Sequence, residues 1–160
     1  MIDVALARTL RDSGLRWHPL PGDRFVIDRP GAAEAEFDVG DGFDDEVFTI
    51  SDMTIEAHEY STGTILGFNG TTEWALDSVA ATDSLWLPRE DQLRILLAAS
   101  FRSLGVVDGR YVVTITLDGA PATFSDVDAE RAYGLALDAY IRASLSLESG
   151  PSLEGEAASA

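Results

Sequence analysis

Apolar positions near the start of the chain recur at helical spacing. Val4, Leu6, Ala7 and Leu10 fall on one stripe, Asp3 is suited to cap them and Gly14 to stop them, so a helix is expected through about Asp12. The period then shortens. Leu15-Arg16-Trp17-His18 and Asp23-Arg24-Phe25-Val26-Ile27 flank a Pro19-Leu20-Pro21-Gly22 turn and read as two short strands of a hairpin. Between Arg29 and Glu46 the pattern fails, leaving an acidic loop over residues 30–46. Strand character resumes over residues 46–50, 54–60 and 64–68, with Ser61-Thr62-Gly63 turning between the last two, which predicts an antiparallel meander. Residues 71–79 fit a short helix or another strand, a choice left to tertiary context.

Pro88 is suited to open a helix in which Leu93, Leu96, Leu97 and Phe101 share a face, with Gly105 as its end. Residues 110–117 are rich in β-branched side chains, and Asp118-Gly119 turns them toward Ala122-Thr123-Phe124 as a hairpin. Asp126 or Asp128 then caps a helix whose Ala132, Tyr133, Leu135, Ala136, Ala139, Tyr140 and Leu145 cover a broad face. From Glu148 onward, Ser, Gly, Glu and Ala bury too little apolar surface to hold a structure, so a disordered tail is expected over residues 148–160. This order lacks the βαβ alternation of a parallel sheet. The fold class expected is α+β: one domain over residues 1–147, with an antiparallel sheet of about five to seven strands and two or three helices packed on one face.

Composition narrows the setting. The chain has 160 residues, 46% of them hydrophobic and 24% charged, which suits one globular core. It has no cysteine, which excludes disulfides, thiolate nucleophiles and Cys-ligated zinc or iron–sulfur clusters. Residues 1–11 carry no basic stretch followed by an apolar one, and no apolar run reaches the length of a membrane span, so a cytoplasmic protein without membrane insertion is expected. The formal charge is −17, and all eleven cations are arginine. Part of that bias matches the codon usage of a high-GC bacterial genome. Such a surface repels phosphates and anionic headgroups, which disfavours direct nucleic-acid binding. An acidic surface that imitates nucleic acid toward a basic partner stands as an alternative to simple solubility.

Signatures of catalysis are sparse against this background. A phosphate loop of the G-x-x-x-x-G-K-[ST] type needs a lysine the chain lacks, and no G-x-S-x-G nucleophile elbow occurs. His18 and His58 are the only imidazoles. On a strand, His58 shares a face with Glu56 and Tyr60, a minimal acid–base pair or else the solvated face of that strand. His18 with Asp23 is the other such pairing. Seven carboxylates between Glu34 and Glu46 depart from the frame of a calcium loop and read as a solvated insertion, so neither metal nor cofactor is expected. Trp17, Trp74 and Trp86 lie near element ends, with Arg89 close to Trp86. Large aromatics beside arginine build interaction grooves as well as small cores. The binding candidates are therefore Trp17, Trp74, Trp86, His58, Glu56 and Arg89, and no catalytic residue is assigned. A non-enzymatic protein-interaction or regulatory module with a protein partner is the leading expectation. The alternatives are a small-molecule binder or hydrolase using His58 with Glu56 or His18, and an acidic nucleic-acid mimic.

At Phe68-Asn69-Gly70-Thr71-Thr72-Glu73-Trp74-Ala75-Leu76-Asp77-Ser78-Val79 and Leu85-Trp86-Leu87-Pro88-Arg89-Glu90-Asp91-Gln92-Leu93, the chain resembles a small family of acidic, mainly actinobacterial proteins, some of which carry the label of pilus assembly protein. Gly14-Leu15-Arg16-Trp17, Gly22-Asp23-Arg24-Phe25 and Asp45-Glu46-Val47-Phe48 extend the likeness over roughly residues 3–140. The resemblance implies a cytosolic domain and assigns no functional residue.

Overall fold

The Asp3 side chain accepts a hydrogen bond from the Leu6 amide at 2.7 Å, satisfying a donor that the first turn of a helix leaves free, and α1 (Val4–Asp12) follows from it. Gly14 ends the segment with φ +106°, a conformation that costs glycine little. The structure, a computed structural model, describes residues 1–28, 46–51, 55–68 and 78–148. Within them the other helices are α2 (Glu90–Leu97) and α3 (Ala129–Glu148). The strands are β1 (Arg24–Ile27), β2 (Phe48–Thr49), β3 (Ile55–Tyr60), β4 (Gly63–Phe68), β5 (Ser78–Ala80), β6 (Ser84–Trp86), β7 (Phe101–Val107), β8 (Arg110–Leu117) and β9 (Ala120–Asp126).

The architecture is α+β, but the strands form three antiparallel sheets of three strands each, ordered β2-β1-β6, β3-β4-β5 and β7-β8-β9. This corrects the expectation of one sheet with helices on one face. The reason is visible in β1, whose alternate residues enter different cores. Phe25 packs with Phe48, Ile50, Ile55, Leu66 and Val79, whereas Val26 joins Leu85, Leu87 and the apolar faces of the three helices and β8. The first sheet is thus a wall between two apolar clusters, and period-two burial on both faces of such a short strand requires material on each side.

Three local expectations also change. Residues 15–18 form no strand, so the first hairpin is absent; β1 pairs with β2 and β6 instead. Two prolines in the connection withhold ladder donors, and Trp17 turns its indole to Asp23. The meander is divided, because β2 belongs with β1 while β3 and β4 take β5 as their third strand. The second helix stops at Leu97, before Phe101 and Gly105. Ala98 adopts φ +46°, a 3₁₀ turn spans Ala98–Ser100, and the chain leaves as β7. Asp108 and Gly109, at φ +50° and +75°, form the tight turn that pairs Val107 with Arg110 and so recruits residues 101–107 to a ladder. β7 is an edge strand, and Val106 on it remains 65% exposed.

The expected hairpin at Asp118-Gly119 forms β8 and β9, and Asp128 caps α3 by accepting from the Arg131 amide at 3.1 Å. Residues 78–80 of the undecided 71–79 segment are β5; residues 71–77, the acidic loop through residue 45 and the tail from residue 149 lie outside the described residues. α1 and α3 approach closely at Gly134, where a Cβ would stand 2.8 Å from Leu6 Cδ2. Glu130 ties the chain start to β1 and α3: its carboxylate accepts from the Ile2 amide at 2.7 Å and from Arg24 Nη2 at 3.1 Å.

Candidate functional site

Trp17 is placed by a buried carboxylate. Asp23 is only 2% exposed, and its Oδ2 accepts from Trp17 Nε1 at 2.9 Å and from the Leu20 amide at 3.0 Å. Its Oδ1 accepts from Gln92 Nε2 at 2.6 Å, with Arg89 Nη1 3.9 Å away. The chain's single glutamine works in both directions, since Gln92 Oε1 accepts from the Arg89 amide at 3.0 Å at the start of α2. A buried carboxylate is tolerated only when its lone pairs are satisfied in this way. The result fixes the 17–23 turn against α2, and Trp17 also rests on Phe25 with ring centroids 5.6 Å apart.

Trp17, held this way, lines a cavity of about 340 Å³, within the usual range for ligand sites. α1 contributes Arg11, the following segment Arg16 and Trp17, β4 Thr64, the 3₁₀ turn at Ala81–Asp83 Thr82, and β6 Trp86. Trp17 and Trp86, remote in sequence, therefore face the same space. Among the described residues, the only charged members of its lining are the two arginines, although the chain as a whole carries −17.

The two differ in state. Arg11 Nη1 donates to Asp28 at 2.6 Å, and Arg8 donates to the other oxygen of Asp28 at 2.8 Å. Burial works against the Arg11 charge, but hydrogen bonds to Asp28 and then Asp12 outweigh it and raise its pKa. Asp28 responds in the opposite direction: the Arg8 hydrogen bonds hold its carboxyl below the ordinary range despite partial burial, with Arg11 adding to them. Arg16 is exposed and, among the described residues, makes no ion pair. Trp86 Nε1 is buried and has no acceptor among the described residues.

The remaining candidates go elsewhere. His58 Nε2 lies 3.6 Å from Glu56 Oε2 on the outer face of the second sheet, where the side chains are 48% and 43% exposed. The imidazole leans over Gly67, which pairs with Glu56 across the strands and leaves room for the ring. The expected shared face is formed, but among the described residues no three His, Asp or Glu side chains converge as metal ligands would. His18 is exposed and is not a partner of Asp23, so that acid–base pairing is not assembled. Arg89 is committed to architecture. It caps the turn by donating to the Gly22 carbonyl, pairs with Asp91 at 3.2 Å and does not line the cavity. Trp74 lies outside the described residues.

Arg11, Arg16 and Gln92 are what the sequence reading passed over, and Asp23 entered it only as a partner for His18. One signal was available for Asp23: a carboxylate immediately before an apolar Phe-Val-Ile strand is poised to be buried with it. No family model, curated protein or solved structure matches the chain. Among the described residues, no helix is long and apolar enough to cross a membrane.

Proposed function

We propose that the chain is a non-enzymatic protein-interaction module whose cavity between Trp17 and Trp86 receives a short segment of a partner protein. The observation that carries this reading is the convergence of two tryptophans and two arginines on one cavity. Tryptophan and arginine are the side chains that most often dominate binding energy, because they bring large rigid area or planar donors to a desolvated pocket. Trp17 is pre-positioned by Asp23, so little ordering entropy remains to be lost on binding. Among the described residues, the lining also lacks the catalytic arrangement of a nucleophile, a base and an orienting group.

Selection from a displayed random-peptide library tests it. Peptides enriched on the wild-type chain should lose binding at least about tenfold on Trp86→Ala, since truncated anchors typically cost about 2 kcal/mol or more. Failure to enrich any peptide, or equal binding by the variant, counts against the reading. A second reading, a small-molecule binder or hydrolase, rests on the 3.6 Å approach of His58 to Glu56. It requires His58→Ala to abolish turnover or ligand binding, and full retention by that variant sinks it.

A further inference from the structure

We infer that the segment taken by this cavity is the C-terminal end of a partner chain, its last side chain apolar and its free carboxylate seated at Arg16. The inference rests on the reading of the cavity as a segment-binding site and specifies what that segment carries. Size limits the occupant first. The cavity of about 340 Å³ lies at the lower end of the range for small-ligand sites, which suits a terminal segment of one or two residues.

Charge then selects which end. Arg16 and Arg11 are the charged groups of the lining, and no carboxylate stands among them in the described residues. Arg11 already pairs with Asp28 at 2.6 Å and with Asp12 at 3.2 Å, which leaves Arg16 as the guanidinium without an ion pair among the described residues. A guanidinium fork matches the two oxygens of a carboxylate, and the hydroxyls of Thr64 and Thr82 add donors in the same lining. An N-terminal amine would meet only cations. A run of acidic residues is disfavoured as well, because the chain carries −17 and repels extended negative charge, which salt screens only beyond roughly 8 Å. One carboxylate on an apolar residue satisfies both the arginine and the indole walls.

The test uses two synthetic peptide libraries with the last four positions randomised, one ending in free carboxylates and the other in amides, presented to the wild-type chain and to Arg16→Gln and Trp86→Ala. Arg16 is exposed, so its replacement leaves the fold intact and keeps the test valid even if Trp86→Ala is poorly folded. Free-acid peptides with apolar last residues should be enriched. Their amides should bind about 10- to 100-fold more weakly, and Arg16→Gln should weaken the acids by a similar factor, as loss of a charge-assisted hydrogen-bonded pair does. Equal binding of acids and amides, both lost on Trp86→Ala, overturns the carboxylate assignment while leaving the segment-binding reading standing. Absence of binding by either library overturns both. Displacement of the best peptide by an equal concentration of 3-phenylpropionate identifies a small carboxylate in place of a chain end and overturns the choice of occupant.

Discussion

Removal of the Asp23 carboxylate is the most informative perturbation of this protein. Asp23→Ala strips acceptors from Trp17 Nε1, the Leu20 amide and Gln92 Nε2, three donors gathered on one side chain that is 2% exposed. A buried donor left unsatisfied costs about 1–3 kcal/mol. Water entering the space left by the side chain recovers part of that, so the net loss should be about 3–5 kcal/mol. That is a large share of the total stability of a single domain, and it corresponds to a fall in Tm of roughly 10 °C at this size. Urea unfolding followed by tryptophan fluorescence measures it, with Trp17 reporting on the site itself. Asp23→Asn sharpens the test, because an amide still accepts from Trp17 and Leu20 on one atom but presents a donor to Gln92 Nε2 on the other. Adding Gln92→Glu restores complementarity: the new carboxylate accepts from the side-chain amide introduced at position 23 as well as from the Arg89 backbone amide, which Gln92 Oε1 already reaches at 3.0 Å. The double variant should be more stable than the sum of its single losses by about 1–2 kcal/mol. A loss under about 1 kcal/mol for Asp23→Ala, or strict additivity in the cycle, refutes the claim that this carboxylate organises the site.

Other outcomes follow from neighbouring features. Trp17→Phe should destabilise more than Trp86→Phe, because the first leaves a buried carboxylate short of a donor while the second removes an indole N–H that has no acceptor among the described residues, a difference of about 1–2 kcal/mol readable by thermal unfolding. Asp28 has a folded pKa below its unfolded value, so the stability it contributes is complete above about pH 4 and is lost as pH falls through the folded value; Asp28→Asn should flatten that part of a pH–stability profile and lower stability at about pH 7 by about 1–2 kcal/mol. Gly134→Val should cost about 2–3 kcal/mol in urea unfolding, since even its Cβ would fall 2.8 Å from Leu6 Cδ2 and 3.1 Å from Ile2 Cδ1 in a filled core. His58→Ala should change stability by less than about 0.5 kcal/mol, because its pairing with Glu56 is exposed on both sides.

The parts of the fold that were legible in the sequence are those where local chemistry and tertiary structure agree. Asp3 and Asp128 cap helices as their side chains predict, and Asp118-Gly119 turns a hairpin between β-branched residues. The second helix is where the two levels part. Leu93, Leu97 and Phe101 keep a helical repeat, yet the same Phe101 begins a strand, because spacing alone records that a residue is buried and not the backbone that buries it. The competing cue lay downstream in Asp108-Gly109, whose positive φ values suit a two-residue hairpin and pull residues 101–107 into pairing with β8. Division into three sheets had no comparable cue. It depends on Phe25 and Val26 finding separate cores, and the partners that make those cores come from distant parts of the chain.

The candidate site divides along the same line. Residue type alone singles out Trp17 and Trp86, because large amphipathic rings near element ends must either fill a core or line a cavity. Only the arrangement of α1, β4 and β6 brings both to one space. Arg89 has the same chemistry as Arg16 and stands close to a tryptophan in the sequence, yet the Gly22 carbonyl and Asp91 engage it. Arg16 earns its place by the opposite circumstance, an exposed guanidinium without an ion pair among the described residues, in a chain rich in carboxylates. What separates a binding arginine from a structural one is therefore its pairing state. Residue type and sequence neighbours cannot report that state, because every acidic partner of Arg89 and Arg11 was equally present on paper for Arg16.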